Sequence, residues 1–472
     1  MYFMKSPINC LRFILFALVF SILWVACQKD DIPSEDAAKK ISDTTKYLNN
    51  WVYDDLSVYY LWNSTLPAKI NPDTASNTKT FFNRLLNSAD KWSWITDDYE
   101  ALSNEFAGTP VSMGYEPAFY LFNNSTNVFI VVKYVYPNTP AAKAGLKRGD
   151  IILTINGQSM TSDNYYDLYS KTSYTVGLGT YSGGGISLSG KTLSMTAETI
   201  TTNPVLYHTI FDLNGTKIGY LVYTEFITGK SNEYLDSIAK VINKFKVANV
   251  REMIVDLRYN PGGEIDAAVY LASALAPQSA TSSKSTLISL KYNSLLQTEF
   301  DSNKSKYADY LGYNFLNTTP NMNLSRVYFL TTNRTASASE LVISGLMAYM
   351  DVSIIGENTY GKYVGAWVIP SDKYNWAMVP IVMKYSNANG YSNFDNGLPP
   401  NYLIDDNLLE AVPFGDASDP MVAKAIGLIT GSPVAVAQTK SAHILPGKPI
   451  VSAKEKLRSN LILPLPQNRL TQ

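Results

Sequence analysis

Apolar positions recur at helical spacing from Thr44 onward, with Leu48, Trp51/Val52, Leu56, Tyr59 and Trp62 on one face. Phe81, Phe82, Leu85 and Leu86 predict a second helix, and Thr96 stands where it would cap a third over residues 97–106. Residues 44–107 thus predict a small helical domain whose Trp and Tyr side chains form its core. Beyond it the period shortens. Residues 128–135 (VFIVVKYV) read as a strand, and Asn156-Gly157 as a hairpin turn between two others. From residue 204 strands and helices alternate: strand 217–223, helix 231–245 with Leu235, Ile238, Val241/Ile242 and Phe245 on one face, strand 253–257, helix 264–275, strand 326–331, helix 337–350 and strand 352–356. Repeated strand–helix units predict parallel pairing and a layered α/β domain over residues 204–433. Residues 281–325, rich in Ser, Asn, Tyr and Lys, predict an insertion that covers the site. Asp419-Pro420 opens a last helix reaching Ile429. Residues 434–472, with His443, lack a clear period and predict a loose tail.

The N-terminus reads as an address. Lys5 and Arg12 precede a 14-residue, almost wholly apolar run, 13–26, shorter than the roughly 18 residues a membrane span needs. The run ends in Trp24-Val25-Ala26-Cys27 and resembles a bacterial lipoprotein signal (1–26), cleaved before Cys27 and lipidated on it, although Trp24 departs from the usual small or aliphatic residue. Residues 27–43 then form a polar tether. Gln28-Lys29-Asp30-Asp31 resembles the acidic surface-export tag of Bacteroidetes lipoproteins. The expected location is the bacterial cell envelope, on an outer-membrane periplasmic face or the cell surface, with a membrane as partner through the Cys27 lipid. Removal of 1–26 takes the net charge from −1 to −3, because two cations and no acid are lost.

Composition narrows the chemistry. The 472 residues contain 39 Lys+Arg against 40 Asp+Glu, which leaves no basic excess to favour nucleic acid. Two histidines, His208 and His443, and two cysteines, Cys10 and Cys27, are too few for a Cys/His metal site, and a histidine base would have to be one of two isolated residues. His208 lies in a predicted strand and reads as structural. Residues 185–192 (GISLSGKT) satisfy a phosphate-loop pattern. They follow a Gly/Ser/Tyr-rich stretch and precede a strand-like alternation instead of a helix, so a glycine hairpin is expected and no nucleotide.

Ligand sites in open α/β sheets lie beyond the carboxyl ends of strands. Three distinctive segments fall there: Asp256 to Gly263 (DLRYNPGG), Thr335 to Glu340 (TASASE) and Glu357 to Lys362 (ENTYGK). Ser337 would begin a helix, where unpaired N–H groups favour developing negative charge. Gly262-Gly263 would let backbone approach a substrate. Lys362 is an amine that burial would turn into a general base toward a hydroxyl. Each piece also has a plain reading, as a capping box (Ser337 with Glu340), a turn and a solvated loop lysine.

Two resemblances join these pieces. Residues 145–157 (GLKRGDIILTING) resemble a PDZ domain, placed at 108–203. Such domains bind extended peptides by adding a strand to a sheet edge. Their carboxylate loop would fall near Ser112, with Met113, Gly114 and Tyr115 as peptide-binding candidates. Ser337-Ala-Ser-Glu340, the segment from Gly356 to Lys362 and the Asp256-Leu-Arg run together resemble the C-terminal processing peptidases, also called tail-specific proteases. The order of signal, helical cap, PDZ and protease agrees, and so do Asn396 to Pro400 and the following Asn-Tyr-Leu-Ile, which resemble the family's late turn and strand. The resemblance spans about residues 44–430. It implies a crotonase-like layered α/β core, Ser337 as nucleophile, Lys362 as base, Gly262 or Gly263 with the N–H of Ala338 as oxyanion hole, protein or peptide substrates, and no metal or other cofactor. One departure stands out. Many members carry a glutamine four residues after the lysine, where this chain has Ala366, and Ser339, Tyr363 and Asn333 are the nearby polar substitutes. The competing expectation is a peptide-binding pseudo-protease that captures without cutting.

Overall fold

The computed structural model describes residues 41–68, 75–213, 215–317, 320–432, 434, 446–450 and 461–463. The predicted signal, Cys10, Cys27 and the tether up to residue 40 lie outside the described residues, as does His443. Among the described residues no helix is long and apolar enough to cross a membrane.

The mainly parallel sheet has six strands: β1 (Val205–Leu213), β2 (Thr216–Tyr223), β3 (Glu252–Asp256), β4 (Arg326–Thr331), β5 (Asp351–Gly356) and β6 (Tyr402–Leu403). They are hydrogen-bonded in chain order, antiparallel only between β1 and β2 and parallel from β2 to β6. Helices α1 (Glu233–Val247), α2 (Ile265–Leu275), α3 (Ala338–Leu346) and α4 (Pro420–Thr430) complete the strand–helix units. The strands alternate between two cores. Leu221, Met253, Val255, Val327 and Phe329 pack with α1 to α3, while Tyr220, Ile254, Tyr328 and Leu330 pack against Met421, Val422 and Ile426 of α4. Asp419 caps α4 through the N–H groups of Met421 and Val422.

A second sheet runs Gly263–Glu264, Leu461–Leu463, Val364–Trp367, Ile381–Asn387, Thr286–Tyr292, Gly312–Asn314. It corrects two expectations. Residues 281–325 are not a cover over the site. Thr286–Tyr292 is an inner strand of this sheet and Gly312–Asn314 its edge strand, and Leu287, Ile288, Leu290 and Phe300 enter the main core. The chain beyond residue 434 is not wholly loose, because two short stretches of it are strands.

The N-terminal helices are Asp43–Tyr59, Thr78–Leu85 and Tyr99–Phe106. The third is capped by Asp98, whose carboxylate accepts the Ala101 N–H, while Thr96 Oγ1 accepts the N–H of Asp98. These helices share one apolar core with the strands and helices of the α/β domain, and Trp94–Thr96 pairs with Ala377–Val379.

The PDZ domain has its own core. Its strand Tyr115–Phe122 pairs with Asn127–Val135, Gly145 ends the helix Pro140–Ala144 in the left-handed conformation (φ 87°), and Asn156-Gly157 forms the hairpin turn with positive φ at both residues. The phosphate-loop look-alike lies inside the strand Gly185–Thr196, after a Gly183-Gly184 turn, and the strand, not a helix, continues through Lys191-Thr192. Arg148 ties this domain to the α/β domain. It donates to Val412 O and Lys133 O and, at 2.7 Å, to the Tyr259 hydroxyl in the loop after β3.

Candidate active site

The three sequence segments meet at the carboxyl ends of β3, β4 and β5. Leu257 N–H donates to Leu330 O, Ala336 N–H to Asn260 O, Tyr360 N–H to Thr335 O and Glu357 N–H to Thr331 O, so each loop is sewn to its neighbour by backbone. Thr335 Oγ1 donates to Leu257 O (2.7 Å) and Ser339 Oγ to Asn260 O (3.1 Å).

Ser337 stands at the start of α3 with φ 60° and ψ −109°, a backbone state that side chains rarely adopt and that costs about 1–3 kcal/mol. It is fully buried, and its Oγ makes no hydrogen bond. Gly262 presses against it. A Cβ on Gly262 would sit 2.7 Å from Ser337 Cβ and 3.1 Å from Ala338 N. Glycine is required there twice over, because φ is also +111°. Of the two expected oxyanion glycines, Gly262 has its N–H engaged by Asn260 Oδ1 at 2.9 Å. Phe226 takes up the Gly262 C=O and the Glu264 N–H, so by strand alternation Gly263 turns its own N–H and C=O the other way, toward Leu461–Leu463. Ala338 opens α3, and its N–H has no intrahelical acceptor.

Glu340 fastens the backbone of Ser337 to that of Lys362. Its buried carboxylate accepts the N–H of Ser337 (2.7 Å) and of Lys362 (2.8 Å) on Oε2, and the N–H of Gly361 (2.6 Å) and the Thr359 hydroxyl (2.5 Å) on Oε1. Burial raises its pKa, and these four donors oppose the rise. The Tyr385 hydroxyl lies within reach of both Ser337 O (3.3 Å) and Lys362 O (3.4 Å).

Lys362 is fully buried, and desolvation drives its pKa well below the usual lysine value; the carboxylates of Asp90 and then Glu340 act in the opposite direction. Asp90 is held in turn. Its Oδ1 accepts the N–H groups of Trp92 and Ser93 (2.9 Å each), and its Oδ2 accepts the Tyr60 hydroxyl (2.7 Å). Of the expected substitutes for the missing glutamine, Ser339 Oγ donates to Asn260 O and the Tyr363 hydroxyl to Asp395, while the Asn333 backbone N–H donates to Glu357. Ala366 itself is buried in the second sheet, opposite Ile381. Sequence reading missed Asp90, which belongs to the helical domain and carries no local motif. Glu340 was read only as a cap.

The PDZ candidates are structural in their side chains. Met113 and Tyr115 are buried, the Tyr115 hydroxyl meets that of Tyr174 (3.0 Å), and the carbonyls of Met113 and Gly114 accept from Ala141 and Tyr136. What they position is the edge strand Tyr115–Phe122. His208 packs edge-on to Phe245 in β1, far from this chemistry in the sheet order.

Three family models match in the expected order: the peptidase S41 N-terminal domain at residues 47–94, a PDZ domain at 131–168 and peptidase family S41 at 217–404. The last span holds Gly262, Gly263, Ser337 and Lys362. The chain belongs to peptidase family S41. An S41-assigned protein of Bacteroides fragilis has a crystal structure that superposes with TM-score 0.68 at 28% identity, covering 81% of this chain and 97% of that one. The photosystem II D1 C-terminal processing protease shares the fold, with TM-score 0.50 at 20% identity, over 79% and 95% of the two chains. In sequence, the carboxyl-terminal-processing protease of Picosynechococcus sp. is 25% identical over 300 residues, 62% of this chain and 65% of that protein. The carboxy-terminal-processing protease of Bartonella bacilliformis is 24% identical over 356 residues, 72% of each. The S41 assignment agrees with the α/β core, the N-terminal helices and the PDZ domain described above.

Proposed function

We propose that this S41 member is a serine endopeptidase that cleaves unfolded or C-terminally presented protein chains with a Ser337/Lys362 dyad. The observation that carries the reading is the burial of both Ser337 and Lys362 with a single carboxylate, Glu340, bonded to both backbones. A lysine kept neutral by desolvation can take the Ser337 proton as Oγ attacks a peptide carbonyl. The Gly263 and Ala338 N–H groups then stabilise the oxyanion. Collapse expels the leaving amine, which takes its proton from Lys362, and water activated by the same amine hydrolyses the acyl-enzyme. The PDZ edge engages the peptide as an added strand. Asp90 fills the place of the absent glutamine as the group that sets the charge and orientation of the amine.

Purified protein should degrade casein. Ser337→Ala and Lys362→Ala should each lower kcat by at least about 10³-fold, and equal cleavage by wild type and Ser337→Ala would reject the dyad. A pseudo-protease is the second reading, favoured by the lack of a hydrogen bond on Ser337 Oγ and by Ala366. It requires peptide binding without turnover, and labelling of Ser337 by a fluorophosphonate separates the two. For location, the reading is a lipoprotein anchored through Cys27 in the bacterial envelope, supported by Lys5, Arg12 and the apolar run before Cys27. Metabolic labelling with a fatty-acid analogue that disappears in Cys27→Ala tests it.

A further inference from the structure

The C-terminal region returns to the body of the protein in two places. Gly447–Ile450 lies antiparallel along the outer edge of the PDZ strand Tyr115–Phe122, with Gly447 opposite Phe122 and Ile450 opposite Phe119. Leu461–Leu463 lies parallel between Gly263–Glu264 and Val364–Trp367, with Leu461 opposite both Gly263 and Gly365. The first position is the edge a PDZ ligand would occupy. The second is bounded on one side by the oxyanion glycine and on the other by the strand that follows Lys362.

We propose that these two segments are an internal ligand: the chain's own C-terminal region fills the peptide path at the PDZ edge and beside Gly263. The peptides the enzyme takes are then extended chains with aliphatic side chains that displace it. The kinetic part of this proposal rests on the peptidase reading above, and the occupancy part does not.

Five observations support it. At the PDZ edge the pairing is antiparallel, so the tail advances from Phe122 toward Tyr115 and the Ser112–Tyr115 loop, the polarity that brings a C-terminus to that loop. Ile450 packs on the PDZ core, and a Cβ on Gly447 would meet Leu121 O at 2.5 Å, so the fit is close at both ends. In the protease, Leu463 is 2% exposed and lies against Gly365, where a Cβ would meet Leu463 Cδ1 at 2.8 Å. Gly263 directs its N–H and C=O at this strand, so the backbone group assigned to the oxyanion already faces a peptide. Finally, Ser337 and Lys362 are both 0% exposed, which leaves an incoming chain no access while the slot is filled.

Being covalently joined, the two segments act together. Tethering presents each at an effective concentration on the order of 1 mM; against a free-peptide Kd on the order of 0.1 mM the path is filled about ten times as often as it is open. A substrate must compete with that, and a substrate that takes the PDZ edge loosens the hold of the second segment.

The test uses full-length chains: wild type, Ile450→Asp and Leu463→Asp, each also with Ser337→Ala. One readout is kcat/KM on a fluorogenic peptide, and the other is anisotropy of a fluorescein-labelled peptide spanning residues 446–472. An internal ligand predicts that both Asp variants raise kcat/KM about tenfold and that the labelled peptide binds the Asp variants in the Ser337→Ala background more tightly than it binds the Ser337→Ala chain alone. Strands that merely complete their sheets predict unchanged or lower kcat/KM and no gain in peptide binding, and that result overturns the proposal. If Leu463→Asp does not fold, Ile450→Asp, at a half-buried site on the PDZ edge, carries both readouts alone. If every chain is inactive, the peptidase reading fails while the anisotropy still decides whether the tail occupies the path.

Discussion

Replacing Asp90 by Asn isolates the charge that the helical domain contributes to the active site. The shape is nearly kept. Asn Oδ1 can still accept from Trp92 and Ser93, and the Tyr60 hydroxyl, which already accepts the Asn87 N–H at 3.0 Å, can accept from the new amide. What disappears is a negative charge facing Lys362. A neighbouring carboxylate moves an amine pKa up by about 1–3 units, and the half-buried position of Asp90 places this case near the lower end. Losing the charge favours the neutral amine, so Lys362 gives up its proton at lower pH. The acidic limb of the kcat/KM profile should therefore shift downward by about one pH unit. If Asp90 also orients the amine, kcat on the plateau falls about tenfold. Asp90→Glu, which restores the charge at a different reach, should return the limb but not the whole plateau. The measurement is kcat/KM against pH with a neutral fluorogenic peptide. An acidic limb that stays in place in Asp90→Asn would show that the carboxylate does not act on the base.

Three further substitutions probe the same frame. Gly262→Ala introduces a Cβ 2.7 Å from Ser337 Cβ at φ +111°; it should lower kcat by about 10²-fold, with thermal melts showing a loss of about 2–4 kcal/mol, and wild-type kcat would refute the contact. Glu340→Gln turns an amide donor toward two of the four donors that the carboxylate accepts, so about 3 kcal/mol of stability and most activity should be lost together, read by urea titration and casein cleavage. Lys362→Met removes a buried amine whose pKa is depressed in the folded state. Below the ordinary lysine pKa, folding must release that proton, so wild-type stability increases with pH through the window between the two values, and the variant should lose that slope while melting about 2 °C or more higher at neutral pH.

Much of the site is legible in the chain because it is local. Ser337, Glu340, Gly262 and Lys362 each follow a strand, and parallel strands bring such ends together whatever the loops contain. The helix and strand periods of β2 to β5 and α1 to α4 are strong because each element buries one continuous face. What sequence cannot supply is pairing between distant segments. Asp90 acts on a lysine in another domain through a short turn held by Tyr60, with no motif to mark it. Gly447-Lys-Pro-Ile450 and Leu461-Ile-Leu463 are too short for a period, and a proline in the first argues against a central strand. They are strands only because edges wait for them. Thr286–Tyr292 alternates well, but the polar residues around it disguise an inner strand of the second sheet as an insertion.

Arg258 binds Asp256 of β3, Asp419 at the cap of α4 and Asp406 of the intervening loop, and Asp406 accepts the hydroxyl of Tyr259, to which Arg148 of the PDZ domain donates. The buried guanidinium keeps the Asp419 carboxyl below its usual range although burial alone would raise it. One cation thus belongs at once to the sheet, the last helix and the route to the peptide reader. These parts have no separate melting points to show: heat or acid that frees one leaves a charge uncompensated in the other two, and the calorimeter should record their departure as a single cooperative event.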